Sequence, residues 1–490
     1  MSQFDELPEG WIETIFSEIF YSLQYGYTAS ASFDINEPKF LRITDIQDHG
    51  VDWEKVPGCL ISSENISKYL IADDDILFAR TGSIEKAWRA QNVPLSVFAS
   101  YLIRGKLVDR SISVWIEKFI KSFCYLNQIG AIGAGTGRNN INAKNLSQVS
   151  FPLPPLNEQR RIVAKIEALG AHSRRSREAL DAVPGLIEQF RQSVLAAAFR
   201  GDLTADWRSK NNNRDQYYLT AEELELGQPF KQARCQTEKI LELENVSALP
   251  KLPDGWFWGT PNLVCQDIVD CPHTTAKYTE TGKILVRTSD FRVGHLDLTN
   301  VKFVNKETFE KRTKRLKPLH QDILYSREGG IFGVACLVPS DVEICMGQRM
   351  MLLRVDRDYY VPELLMWAMN SPQFFRQASQ HVTGSASPHV NVGDIKNFVL
   401  PIPPLKEQKE ILSVIRRMLQ SIQKASDTYL SLLKDLSDLD QSILAKAFRG
   451  ELVPQDPNDE PASVLLERIR AEREQLAAAT KPGKRRRKQP

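Results

Sequence analysis

Five loops combine glycine with arginine, asparagine, glutamine, serine or threonine. The first half of the chain has Arg80-Thr81-Gly82-Ser83, with Lys86 and Arg89 close behind, and Gly137-Arg138-Asn139-Asn140-Ile141-Asn142. The second half has Ser326-Arg327-Glu328-Gly329-Gly330, then Gly347-Gln348-Arg349, then Thr383-Gly384-Ser385-Ala386-Ser387-Pro388-His389-Val390-Asn391. Arg, Asn, Gln and Ser pair bidentately or flexibly with base edges, and glycine lets a backbone come close to phosphate. Any one of these loops alone could be an ordinary surface turn. Recurrence at matching places in two halves is what favours binding. His273 and Thr274, in the tight cluster Asp270-Cys-Pro-His273-Thr-Thr, fit ordinary turn chemistry and are carried as further candidates. The candidate DNA-binding set is Arg80, Thr81, Ser83, Lys86, Arg138, Asn139, Asn140, Asn142, His273, Thr274, Arg327, Arg349, Ser385, Ser387, His389 and Asn391.

Covalent chemistry has no comparable signal. There is no GxxxxGK phosphate loop and no GxGxxG fingerprint. HExxH and GxSxG are also missing. The seven histidines are scattered, and carboxylate pairs carry no weight in 490 residues. Seven cysteines, an odd number without any CxxC, read as reduced and mostly buried thiols, and no metal site is expected. Hydrophobic content of 42% and charged content of 25% suit a soluble globular protein. No apolar run approaches the roughly 20 residues of a membrane span. The start, MSQFDELPEGW, lacks the layout of a signal peptide, so a cytoplasmic chain is expected. The last ten residues, KPGKRRRKQP, hold six basic residues and no acid. They read as a solvated tail or as loose phosphate contacts.

The elements that must position these loops occur twice. PLPPLNEQ at 152–159 returns as PIPPLKEQ at 401–408, about 249 residues on. QSVLAAAFRGDL at 192–203 returns as QSILAKAFRGEL at 441–452, and LPEGW at 7–11 as LPDGW at 252–256. A period this long marks a duplicated domain unit, since solenoid repeats run roughly 20–50 residues. Each half has a mixed stretch with β-rich runs such as 75–81, 283–288 and 350–355, and a helix over 361–370. A proline cluster follows, then a long segment free of β signals.

That segment carries an unbroken four–three apolar seam in the second half: Ile411, Ile415, Met418, Ile422, Ala425, Tyr429, Leu432, Leu436, Leu439 and Ile443. Subtracting 249 gives Ile162, Ile166, Leu169, Ser173, Ser176, Leu180, Val183, Ile187, Phe190 and Val194, eight of them apolar. This is a coiled-coil seam in both copies. Gly201 and Gly450 stand where C-terminal caps belong, and Pro184–Gly185 should kink or break the first helix. The simplest partner for each helix is the other, and connectivity favours an antiparallel pair. Facing Ile162 with Ile443 would place Ser176 opposite Tyr429. From Ile411 to Ile443 the helix runs about 48 Å, on the scale of one turn of DNA.

The expected divisions are 1–151 and 251–400 for two recognition domains, 152–203 and 401–452 for the long helices, 204–250 for a linker with a charged helix near 220–244, and 453–490 for a C-terminal helix and the basic tail. The C-terminal helix, over 461–479, either docks on the body or awaits a partner subunit. The expected class is α+β, with two mixed α/β domains joined by an intramolecular antiparallel coiled coil and related by a pseudo-two-fold.

The order of globular domain, PLPPLxEQ helix, globular domain and PIPPLxEQ helix, with AFRGxL closing each helix, resembles the DNA specificity subunit of type I restriction–modification systems. The resemblance covers essentially the whole chain. It implies two target recognition domains, each reading one half of a split double-stranded DNA site, and no catalysis by this chain. It implies partner methylation subunits using S-adenosylmethionine and partner restriction subunits using ATP and Mg2+, two of each. The recognition loops lie outside the shared motifs. Two rivals stay open: a self-contained methyltransferase or nuclease, and a structural scaffold. The first would need an [NDS]PP[YF] motif, yet the only Pro-Pro pairs, 154–155 and 403–404, are followed by Leu.

Overall fold

The computed structural model describes residues 7–47, 50–134, 140–211, 249–383 and 389–479. The expected helix near 220–244 and the basic tail lie outside the described residues. The chain forms two compact units, residues 1–181 with 430–490 and residues 182–429. Each therefore takes part of both long helices.

In the first unit an antiparallel sheet orders Phe20–Tyr25, Leu102–Leu107, Ile76–Ala79 and Ala87–Arg89. A second sheet sets Lys39–Leu41 parallel to Ser96–Phe98 and antiparallel to Gly58–Cys59. A short ribbon pairs Ile12–Ile15 with Ser150–Leu153. The second unit repeats this plan. Its sheet orders Cys265–Asp270, Met350–Val355, Ile323–Ser326 and Ala335–Leu337. Lys283–Val286 runs parallel to Ile344–Met346 and antiparallel to Lys302–Val304, and Phe257–Gly259 pairs with Leu400–Ile402. Both proline-bearing strands sit in two-stranded ribbons, where a missing N–H breaks no ladder.

The first long helix runs from Leu156 to Leu180, stops, and restarts from Val183 to Arg200. Pro184 falls in the first turn of the new segment, where its missing N–H has no intrahelical partner to lose. The second long helix, Leu405–Phe448, is continuous over 44 residues. Gly201 ends the first in the left-handed conformation at φ 82°, and Gly450 follows the second at φ 73°. A β-carbon at Gly201 would collide with the Pro253 ring, and one at Gly450 with the Pro8 ring. The AFRG glycines thus admit the LPxGW prolines.

Within the first unit the helices run antiparallel. Arg177 Nη2 meets Asp440 Oδ2 at 2.8 Å, while Arg161, earlier on its helix, reaches Asp459 at 2.7 Å. The register differs from pairing Ile162 with Ile443, which would have put Thr428 opposite Arg177. Asp440 lies 12 residues further on. The cause is the end of the second helix, where Leu444, Ala447 and Phe448 are drawn into the globular core; Phe448 packs 4.7 Å from Trp115 and 5.5 Å from Phe119 between ring centroids. In the second unit Leu195, Ala198 and Phe199 join Ile411 and Ile415 in the core. Seam residues Ile162, Ile166, Ile411, Ile415 and Ile422 are buried. Leu180, Ile187, Tyr429, Leu436 and Ile443 are half-buried, and Phe190, Leu432 and Leu439 are exposed. Ile162, Ile166, Ile411 and Ile415 are covered by the globular cores, whereas Ile422 and Ser173 are buried outside them and most of the remaining seam is only partly shielded, since one neighbouring helix covers a narrow stripe.

The repeated motifs meet in a buried clamp. Trp11 Nε1 donates to Glu158 Oε2 at 2.9 Å, and Trp256 Nε1 donates to Glu407 Oε2 at 2.7 Å. Gln159 and Gln408 each donate to the first carbonyl of the Pro-Pro pair, Pro154 and Pro403, at 2.8 Å. The C-terminal helix, Ala462–Ala479, docks on the first unit through buried Leu465, Leu466 and Ile469, with Arg470 paired to Glu18 at 2.6 Å.

The two clamps differ in charge. Glu407 also accepts from Thr204 at 2.6 Å and from Arg208, whereas Glu158 is joined by the neutral Gln455 at 3.3 Å. Burial pushes the Glu158 carboxyl above the usual carboxylate range, so a neutral amide suits its site. Glu158→Gln should cost less than about 1 kcal/mol, and Glu407→Gln, which leaves Arg208 without its carboxylate, about 2–3 kcal/mol. Urea unfolding of the full chain measures both; equal losses would contradict the assignment.

Candidate nucleic-acid interface

In the first unit, the interior strand Ile76–Ala79 delivers Arg80 and Thr81 to one end of the sheet, and Ile84, 6% exposed, anchors the loop beyond. Gly82 makes the turn at φ 75°. Arg80 N–H donates to the Tyr101 carbonyl at 2.8 Å, and the Arg80 carbonyl accepts from Ile141 N–H at 2.8 Å. Thr81 and Asn140 form a β-bridge. The exposed Arg80 guanidinium lies 4.8 Å from the centroid of the Tyr25 ring, and the Tyr25 hydroxyl accepts from Ala143 N–H at 2.9 Å. This brings together Arg80, Thr81, Asn140, Asn142, Tyr25 and Tyr101. Gly26 makes it possible, because a β-carbon there would strike the Phe98 and Ala99 carbonyls.

Other candidates in this unit have structural tasks. Lys86 Nζ donates to the Ile46 carbonyl at 3.0 Å, so its charge ties down the Ile46–Val51 hairpin. Asn142 Oδ1 caps the short helix Ala143–Leu146 by accepting from Asn145 N–H at 2.8 Å. Ser83 is half-buried within the turn. Arg138 and Asn139 lie outside the described residues.

The second unit builds the same frame with different side chains. Arg327 N–H donates to the Arg349 carbonyl at 3.1 Å, and the Arg327 carbonyl accepts from Val390 N–H at 3.0 Å. Glu328 and His389 bridge where Thr81 and Asn140 do. Arg327, however, is only 6% exposed, and its guanidinium reaches Asp270 at 3.2 and 3.4 Å. Asp270 also meets His273 Nε2 at 3.0 Å. Arg327 therefore braces the loop and holds out the imidazole of His273, whose side chain is 69% exposed. Gln348 Nε2 donates to the His273 carbonyl at 2.7 Å. Exposed Arg349 adopts φ 68°, a left-handed conformation that costs a non-glycine residue about 1–2 kcal/mol, and its side chain meets Glu328 at 3.5 Å.

His389 and Thr383 exchange backbone hydrogen bonds at 2.9 and 3.0 Å, and exposed Asn391 precedes the helix Val392–Asn397. The Thr274 carbonyl accepts from Arg312. Ser385 and Ser387 lie outside the described residues. Tyr25 and Tyr101 were missed from sequence; the signal was there in aromatics beside Gly26 and at a polar strand start. Among the described residues, no group of three His, Cys, Asp or Glu side chains is placed to hold a metal ion, and no helix is long and apolar enough to cross a membrane.

Two unlike polar surfaces on one repeated frame define a recognition protein, and comparison with known proteins places it. The family model for the type I restriction modification DNA specificity domain matches twice, over residues 35–181 and 271–428. The chain belongs to that family. It is similar to the specificity subunit of the type I restriction enzyme EcoKI of Escherichia coli, with 28% identity over 497 residues and 96% of both chains covered. The EcoBI specificity subunit of Escherichia coli is 29% identical over 383 residues, 74% of both chains. A solved structure described as underlying complex assembly and conformational transition of the type I R-M system superposes with a TM-score of 0.56 at 19% identity. It covers 91% of this chain and 100% of that one, a likeness of fold.

The different settings of two arginines yield a test. Arg327→Ala strands Asp270 beside His273 and should lower stability by about 1–3 kcal/mol. Arg349→Ala, on an exposed side chain, should stay within about 0.5 kcal/mol. Thermal unfolding of the two variants distinguishes them, and equal effects would refute the bracing role.

Proposed function

We propose that the chain reads a bipartite, asymmetric site in double-stranded DNA, one part with each unit, and leaves all chemistry to partner subunits. The observation that carries this is the repeated frame with unlike side chains. Backbone bonds at Arg80 and Arg327 match, while the positions held by Tyr25, Tyr101 and Asn140 in one unit are held by Asp270, Arg349 and His389 in the other. Identical frames position; different side chains specify. A palindrome would need two like surfaces, so two unlike ones suit a site of two unlike parts.

In the first unit Arg80 is the best-placed reader. Its guanidinium rests on the Tyr25 ring and has no carboxylate partner among the described residues, so its donor fork is available to guanine O6 and N7. In the second, His273, Gln348 and Arg349 converge on one loop pair, with Asp270 fixing the imidazole.

The partners are two methylation subunits and two restriction subunits, one of each for each repeat, in the cytoplasm. Methyl transfer to adenine from S-adenosylmethionine and ATP- and Mg2+-dependent cleavage belong to them. Surface for such partners exists on the helices: Leu186 and Phe190 in one unit, and Leu430, Leu432 and Leu439 in the other, stay exposed.

Single-molecule sequencing of methylated DNA from cells expressing the chain with its partners identifies the site. Arg80→Ala should relax one part of that motif by about 1–3 kcal/mol of discrimination and leave the other part unchanged. An equal loss on unrelated DNA would make Arg80 a phosphate contact instead.

A further inference from the structure

Corresponding segments of the two units carry opposite charge. Residues 277–317 contain eleven Lys and Arg against five Asp and Glu, a net of +6. Residues 30–70, the same stretch 247 positions earlier, contain four against seven, a net of −3. The structural match is direct, because each segment holds the central and antiparallel strands of its small sheet and the helix that follows, Lys306–Thr313 in one and Ser63–Tyr69 in the other. The sequences of those helices, KETFEKRT and SENISKY, share a polar outer face and little else.

Part of the positive charge is already matched, since Lys283 and Lys317 both pair with Glu343. Lys277, Lys311, Lys314 and Arg315 are exposed, and none has a carboxylate within ion-pair distance among the described residues. Tyr278, half exposed, follows Lys277, with the Lys302 ammonium 5.9 Å from its ring centroid.

This face is bolted to the reading loops. Arg312, 6% exposed, donates through Nη1 to the Met346 carbonyl at 2.8 Å and the Gly347 carbonyl at 3.3 Å, and through Nη2 to the Thr274 carbonyl. One buried guanidinium therefore ties the basic helix to both loops that present His273, Gln348 and Arg349. Lys277 follows Thr274 by three residues on the same loop.

We propose that Lys277, Lys311, Lys314 and Arg315 form a phosphate-gripping face beside the reading loops of the second unit, and that the first unit has no equivalent. This rests on the DNA-reading role above. The electrostatic, salt-sensitive share of the affinity then sits on the second unit, and the first adds discrimination with less grip. Neutralising a phosphate releases a condensed counterion, so each such contact adds about 0.9 to the slope of log affinity against log salt.

The test is fluorescence anisotropy of the full chain on a duplex of arbitrary sequence, about 30 base pairs long, across about 50–200 mM salt. Lys311→Gln with Lys314→Gln should lower the slope by about 2, making the loss of affinity across that range about tenfold smaller. A control pair from the corresponding stretch of the first unit, Lys55→Gln, whose lysine pairs with Asp52, together with Lys68→Gln, should leave the slope unchanged. All four side chains are exposed, so thermal midpoints should match the parent chain and exclude misfolding. An unchanged slope in the first pair, or an equal fall in both, overturns the proposal while the reading role stands. A parent chain without salt-dependent binding would overturn both.

Discussion

A buried carboxylate at the root of each long helix is the constraint on which the rest depends. Glu158 is 1% exposed and Glu407 fully buried, and neither could be held there unpartnered. Each is met by the tryptophan that closes LPxGW, so the start of each repeat is bonded to the start of its own helix. The LPxGW proline fills the space left by an AFRG glycine, and here the copies cross: Pro8 meets Gly450 and Pro253 meets Gly201. Each unit is thus closed by a helix end that belongs to the other repeat. The motifs are short because three contacts suffice: an indole on a carboxylate, a proline on a glycine, and a glutamine amide on a prolyl carbonyl.

That crossing explains why the units do not follow the repeats. A division by repeat would cut near residue 250, whereas the compact units are 182–429 and the remainder. Removing Phe448 from the core of the first unit, or Phe199 from that of the second, would open the centre of each, since both rings are at most 2% exposed. The helices therefore act as structural members of both globular bodies, and their apolar seam is only one of the forces that hold them.

Much of this frame was legible in sequence. Strands at 76–79, 283–286 and 350–355, the helix 362–369, the break at Pro184 and the two glycine caps all follow from local chemistry: alternation, ring geometry and left-handed φ. The helix register was not legible, because an apolar seam marks which faces meet and leaves open how far one helix slides along the other. What fixed it was non-local, the burial of Phe448 under Trp115 and Phe119. The candidate site was legible as loops and much less as side chains. Residue type makes Lys86 and Arg327 DNA-binding candidates; the structure adds that one is bonded to a carbonyl 40 residues away and the other to a carboxylate 57 residues away. Asn142, another DNA-binding candidate by residue type, caps a helix. Residue type limits what a side chain can bond; only the tertiary neighbours decide which bond it makes.

The same logic accounts for how the two reading surfaces can differ so much on one frame. The bonds that fix each loop are almost all made by backbone groups: Arg80 to Tyr101 and Ile141, Arg327 to Arg349 and Val390. Backbone donors and acceptors are independent of residue type, so side chains at the rim can change without unseating the loop. The exception is instructive. In the second unit the brace is a side-chain pair, Asp270 with Arg327, and it fixes His273 as well. A change at any of those three disturbs the other two, whereas Arg80 stands on a tyrosine ring that asks only for a cation or another flat group. The first surface is therefore free to vary one residue at a time, and the second must vary as a set.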